Sequence, residues 1–526
     1  MNADSTNASS YDQIPYPSFS FPESHPRHLA IIAGLFGLQT ALPAKASVLE
    51  LGCASGGNLI PMAYGMPQAR CVGVDLSARQ IEIGQALVTK AGLKNVDLRC
   101  MNLADLDKTF GTFDYIICHG VFSWVPAEVQ KRILEICSAN LSPQGVAYVS
   151  YNTLPGWNMY RSIRDMMLFH TRQFNEPAMI VGQARAFLDF AVKAVAQQQS
   201  AYSMLLKGEL ERLRTQSDAY LFHDHLEKEN NPVYFHEFAR MAEAQGLRYL
   251  GESTFHTMTP VEFDPEIQKT LHAITDKIVA MEQYIDFLRN RTFRATLLCR
   301  RDNKLVRRIA PAAIQKLQVA TALQSVSQTP EVWSATQENY VHPNGSELRT
   351  TDALTKAVLF TLKDSWPGWQ PFERLLKTVR EAALKSPLVK TLVVNEENLG
   401  RAVLQLFQQG MVELHLDPPQ FVTKVAVRPK VSALVRAQIQ EGRPLTNLRH
   451  ETVQVPDLFR YIAGLCDGKR DSAQIASALE EGINSGVLKM REGKELPTVP
   501  ADRLKYFSGV VANALAFLAR SAMLQA

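Results

Sequence analysis

From about residue 48 to 150 the chain alternates short apolar runs with helix-spaced apolar positions, a pattern that predicts βαβ units around a mostly parallel sheet. Residues 48–51, 71–75, 96–100, 115–118 and 146–150 read as strands. Ser77 and Gln80 stand at capping-box spacing ahead of one helix, and Val129, Ile133, Ile136 and Cys137 share a face of another. Leu29, Ile32, Ala33 and Phe36 repeat at helical spacing and predict a packing helix before the first strand. After Ser150 the pattern turns long and helical to about residue 215. Phe235, Phe238 and Ala242 then form a helix stripe stopped by Gly246, followed by strands at 247–250 and 293–299. These read as the last helix and strands of the same sheet, so residues 1–305 are expected to form one α/β domain with helical insertions at about 170–225 and 262–290. Further on, helices are expected at 355–362, 372–379 and 399–409, a strand at 411–416 and a linker at 417–419. Helical runs at 458–465 and 475–479 and a last one through Phe517 complete the pattern. Residues 306–425 and 426–526 thus read as two small, mostly helical, winged-helix-like modules.

Composition narrows the class. Hydrophobic residues make up 46% of the 526 and charged residues 21%, which excludes disordered and collagen-like chains. A net charge of +4, from 56 basic and 52 acidic residues, gives no reason to expect a nucleic-acid partner. Residues 1–10 lack the features of a secretory signal, and the longest apolar run, residues 29–38, is far short of the ~20 needed to span a bilayer, so no membrane insertion is expected. Seven cysteines without a C-x-x-C pair fit buried thiols in a reducing cytoplasm. His223, Asp224, His225 and His236 invite a metal reading, but no cluster of Cys or acids follows at ligand spacing, and no metal is expected.

The chemistry concentrates at Glu50-Leu51-Gly52-Cys53-Ala54-Ser55-Gly56-Gly57-Asn58, where the first strand turns into a helix. Small residues there let the backbone approach a ligand, and the helix start offers N–H groups. Asp75 closes the second strand, where a carboxylate can accept ribose hydroxyls. Dinucleotide enzymes share both devices. Asn102 ends strand three, and 113–118 supplies strand four with His119 at its carboxyl end, where open α/β sheets place reactive groups.

These motifs, with Leu141-Ser142-Pro143-Gln144-Gly145, resemble in kind and order the class I S-adenosylmethionine (AdoMet) methyltransferases. Residues 11–26, 119–125, 150–157, 234–252 and 291–300 resemble the bacterial subfamily with an appended methyltransferase regulatory domain, which includes rickettsial protein-lysine methyltransferases that modify outer-membrane protein. Ala54 replaces the usual middle glycine, and Asn102 stands where an acid commonly contacts adenine. The resemblance implies a Rossmann-like class I sheet that binds S-adenosyl-L-methionine through Glu50, Gly52, Cys53, Ala54, Gly56, Asn58, Asp75, Leu76, Asn102, Leu103 and His119. Within that set, Gly52 to Gly56 would cradle the methionine part, Asp75 the ribose, Leu76 and Leu103 the adenine, and Asn102 its exocyclic amine. Tyr16, His119 and Tyr151 are the candidate catalytic residues, the two tyrosines orienting an acceptor through their hydroxyls. Trp124 and Trp157 could wall an apolar channel, with core packing as the alternative. The expected activity is methyl transfer to lysines of a protein substrate, with a surface or outer-membrane protein as candidate acceptor and a homodimer as candidate assembly. A small-molecule O- or N-methyltransferase and an AdoMet-sensing regulatory binding protein stand as alternatives.

Overall fold

The computed structural model describes residues 18–386, 392–488 and 499–526. Val48 and Leu49 are both fully buried yet belong to different apolar layers, because successive side chains of a strand point to opposite faces. Burial on both faces is what parallel strands require. The strands are β1 (Ser47–Leu51), β2 (Arg70–Asp75), β3 (Val96–Cys100), β4 (Phe113–Cys118), β5 (Leu141–Leu154), β6 (Val233–Tyr234), β7 (Leu247–Glu252) and β8 (Phe293–Arg300). They lie in the order β3-β2-β1-β4-β5-β8-β7, with β6 beside β5. β1 to β5 pair in parallel, whereas β8 runs antiparallel between β5 and β7. Strand order therefore reverses at the β1/β4 boundary, the place where such sheets open a crevice for a ligand. β6 has no counterpart among the expected strands, and β5 extends well past the expected 146–150.

Eleven helices accompany the sheet within residues 26–289: α1 (Pro26–Leu35), α2 (Leu59–Gly65), α3 (Ala78–Ala91), α4 (Ala127–Asn140), α5 (Trp157–Thr171), α6 (Pro177–Ala194), α7 (Ala201–Arg214), α8 (Asp218–His225), α9 (Phe235–Ala244), α10 (Pro265–Ile274) and α11 (Ile278–Arg289). Leu29 and Ile32 of α1, Leu59 of α2 and Ile81 of α3 pack on one face of the sheet, while Ile133 and Ile136 of α4 and Phe238 of α9 pack on the other. The expected capping serine is in place, Ser77 Oγ accepting from Gln80 N–H at 3.1 Å. The helices after β5 begin at Trp157, and α5 to α8 bury their own core around Ile163, Met167, Leu188 and Leu213.

Helices Ala353–Leu362, Phe372–Lys385 and Glu396–Gln408 pack with a three-stranded antiparallel sheet of Gln318–Ala320, Gln370–Pro371 and Glu413–His415. Their apolar side chains run without a break into the layer beneath α1: the Phe407 ring lies 5.1 Å from Phe255, which lies 5.9 Å from Phe36. The last module has a separate core built on helices Ala433–Gln440, Asp457–Leu465, Ser472–Asn484 and Pro500–Arg520, with a hairpin of Leu445–Thr446 and Thr452–Val453. Lys90 of α3 pairs with Glu441 of this module at 2.5 Å. Six of the seven cysteines are buried and Cys100 is exposed. Among the described residues, no helix is long and apolar enough to cross a membrane.

Candidate active site

The loop between β1 and α2 is shaped by positive backbone angles at Gly52 (φ +71°), Ala54 (φ +47°) and Gly56 (φ +73°). A Cβ at Gly52 would lie 2.4 Å from Val121 Cγ2, so angle and space both demand glycine. Ala54 adopts the left-handed conformation without being glycine, and Asp75 Oδ2 holds it there by accepting its N–H at 2.8 Å. Asp75 Oδ1 accepts from Ser77 N–H at 2.9 Å, so one carboxylate clamps the first loop to the second. Cys53 is buried in this turn, and burial pushes its thiol well up.

Glu50, at the end of β1, is 3% exposed. Its Oε1 accepts from Asn58 Nδ2 at 2.7 Å, and its Oε2 has no hydrogen-bond partner among the described residues. Burial pushes the carboxyl up to about 8, so it is mostly protonated at pH 7. An orphaned buried carboxyl oxygen beside the loop has the chemistry to accept an ammonium group. A raised carboxyl pKa contributes stability below pH ~4.5 that is lost as pH rises through about 8. A cation at Oε2 favours the ionised form, so S-adenosylhomocysteine (AdoHcy) should bind more tightly as pH rises from 6 to 8.5, with proton release near pH 7. Calorimetry in two buffers of different ionisation enthalpy reads that release, and Glu50→Gln should abolish it.

At the β4 edge the His119 ring stacks on Phe21, centroids 3.6 Å apart, and its Nδ1 shares a 2.8 Å hydrogen bond with the Tyr148 hydroxyl. Burial pulls the imidazole down to about 3, so it is neutral. Tyr151 does not join this group. It lies on the opposite face of β5 from Tyr148, stacked on Phe238 at 4.1 Å, with its hydroxyl 3.0 Å from Thr296 Oγ1. Residues three apart on a strand face opposite ways, so Tyr148, and not Tyr151, is the hydroxyl next to His119. Tyr16 lies outside the described residues. Leu76 and Asn102 are exposed at the ends of β2 and β3, Leu103 is partly buried beside them, and Asn102 Oδ1 accepts from Ala104 N–H at 2.9 Å. Trp124 and Trp157 pack edge to face at 6.2 Å, and Trp157 also stacks near His225 of the insertion. His225 Nε2 lies 2.8 Å from Arg212 Nη2 and His236 Nδ1 lies 2.8 Å from Gln283 Oε1. Among the described residues, no group of three or more His, Cys, Asp or Glu is arranged to hold a metal.

Residues 18–25, which local patterning leaves without a role, cover the loop. Ser18 Oγ accepts from Gly57 N–H at 2.8 Å, and Phe21 N–H donates to Asn58 Oδ1 at 3.0 Å.

Residues 48–145 match the family described as "Methyltransferase domain", residues 217–300 "Predicted methyltransferase regulatory domain", and residues 428–523 "PKMT, C-terminal winged helix domain". Together with the β1/β4 crevice, the glycine-bearing loop and Asp75, they define a class I methyltransferase whose cofactor is AdoMet. The structure of PKMT2 from Rickettsia typhi, also solved in complex with AdoHcy, superposes with a TM-score of 0.85 at 31% identity, covering 97% of this chain and 100% of that one. Protein RP789 of Rickettsia prowazekii is 38% identical over 498 residues, 92% of this chain and 88% of that protein. Protein RP028 of the same organism is 42% identical over 245 residues, 47% of this chain and 98% of that protein. The chain belongs to the family of R. typhi PKMT2.

Proposed function

We propose that this methyltransferase transfers methyl groups from AdoMet to lysine side chains of a protein substrate, at a site bounded by the Gly52–Gly56 turn, Asp75 and His119. The single observation that carries this reading is the likeness to PKMT2 along the whole chain, C-terminal winged-helix module included. AdoMet supplies a methyl group to a nucleophile with a free lone pair. A lysine amine of pKa ~10.4 must first lose its proton, at a cost of ~4–5 kcal/mol at pH 7. His119, held near 3, is too weak a base to take that proton, so it serves as a wall and a partner for the Tyr148 hydroxyl. Behind the Pro22–Ser24 segment lies an open cavity of about 360 Å³, lined in part by the middle and C-terminal modules. Its lining carries Glu23 together with Asp417, Glu413 and Glu451, of which Asp417 pairs with Arg27 and the other two with Arg449. Tyr16 and Tyr148 are the hydroxyls assigned to aim the amine. The acceptor is proposed to be a surface or outer-membrane protein met in the cytoplasm. A homodimer is the proposed assembly.

Labelled AdoMet incubated with purified surface proteins, followed by peptide mass spectrometry, tests the acceptor. Methyl-lysine on a protein is expected, and label confined to small amines or hydroxyls overturns the reading. Tyr148→Phe should lower turnover ~10-fold or more with AdoHcy affinity unchanged. Tyr151→Phe should instead cost ~1 kcal/mol of stability with turnover of the folded enzyme near wild type, as a thermal melt beside the same assay will read.

A further inference from the structure

We infer that the hairpin of the C-terminal module is part of the cofactor site, with Arg443 and His450 acting as positioning residues that hold Ser55 and Asn58 in the shape that accepts AdoMet. The inference rests on AdoMet binding and is independent of the acceptor.

Arg443, just before strand Leu445–Thr446, donates from Nη1 to Ser55 Oγ at 2.8 Å, across 388 residues of sequence. His450 sits between that strand and Thr452–Val453, and its Nε2 lies 2.9 Å from Asn58 Oδ1, across 392 residues. Burial pulls the His450 imidazole down to about 3, so the ring is neutral and donates to the amide oxygen through Nε2–H. Asn58 is thereby saturated: its Oδ1 accepts from Phe21 N–H and His450, and its Nδ2 donates to Ser24 Oγ at 3.0 Å and Glu50 Oε1 at 2.7 Å. The amide orientation that leaves Glu50 Oε2 as the orphaned oxygen is thus held by two donors to Oδ1, one of them from the last module.

Backbone geometry at the tip supports the same reading. His450 holds φ +65°, a conformation non-glycine residues rarely adopt and one that persists only where surrounding contacts over-determine it. Those contacts are present: Asn447 Oδ1 accepts from Arg449 N–H at 2.9 Å and from Glu451 N–H at 2.8 Å. Thr452 Oγ1, two residues further on, accepts from Ser20 N–H at 3.1 Å, so the hairpin also pins the segment that covers the loop. A module that merely docked would need only contacts such as Lys90 with Glu441, which lie away from the loop.

The test uses the full chain, AdoHcy titration calorimetry and melts of the cofactor-free protein. His450→Ala and Arg443→Ala should each weaken AdoHcy binding ~10-fold, the size of one lost buried hydrogen bond. Their melts should stay within a degree or two of a Glu441→Gln control, which loosens docking on α3 and should leave affinity unchanged. His450→Gln, whose amide can donate to Asn58, should restore affinity to within ~3-fold. Wild-type affinity in both alanine variants overturns the inference. A loss that the control shares, or that His450→Gln does not rescue, makes the hairpin a docking device and overturns it equally.

Discussion

Arg294→Ala is expected to destabilise the sheet by ~3–5 kcal/mol, the cost of leaving buried charge without its partner. The guanidinium is fully buried over the Phe235 ring at 3.8 Å. Its Nε and Nη2 each reach an Asp286 oxygen at 2.8 Å, while Nη1 reaches Glu252 at 2.7 Å and Glu282 at 3.1 Å. These three acids come from β7 and α11, so one side chain on β8 joins three elements. The pH dependence separates charge from lost packing. Burial already holds Glu282 up at about 7 and Asp286 above the usual carboxyl range, and without Arg294 both should rise further. Protonation then relieves them, so the deficit against wild type should shrink as pH falls from 8 to 5. Denaturant midpoints at the two pH values check this, and a deficit independent of pH would assign the loss to packing alone.

Asp75→Ala should weaken AdoHcy binding by ~2–4 kcal/mol, or about 30- to 1000-fold. Two losses combine. The carboxylate is proposed to hold the ribose, and it also holds Ala54 in a conformation alanine does not choose alone, through the 2.8 Å bond to its N–H. Asp75→Asn keeps one acceptor oxygen for that N–H and should fall between the alanine variant and wild type. Calorimetry on the three proteins decides it, and equal affinities would remove Asp75 from the site.

The parallel strands were legible in the sequence because their apolar runs are local, and the loop because Gly52 and Gly56 take positive backbone angles within the single turn from β1 to α2. The last strands were legible too, through the stripe of Phe235, Phe238 and Ala242 ending at Gly246. Tyr148 and Tyr151 look alike in a buried strand with apolar residues on both faces, so the alternation that would sort them is silent, and only the packing separates them. Arg443 and His450 leave no trace at all. Their partners stand nearly four hundred residues away, and no spacing or periodicity encodes a contact of that kind.

The unbroken apolar layer from α1 through Phe407 bears on how the chain comes into being. When β8 has left the ribosome, the sheet has all its strands and α1 to α3 lie on this face, yet the part of the layer around Phe36 and Phe255 still awaits side chains as far along as Phe407 and Val412. At roughly 5–20 residues per second, that part stays uncovered for roughly 5–20 s during synthesis. An enzyme assembled in this order spends its most vulnerable interval with its strands complete and its surface greasy. A chaperone that binds extended apolar surface should find its longest-lived target on nascent chains of about 300 to 410 residues.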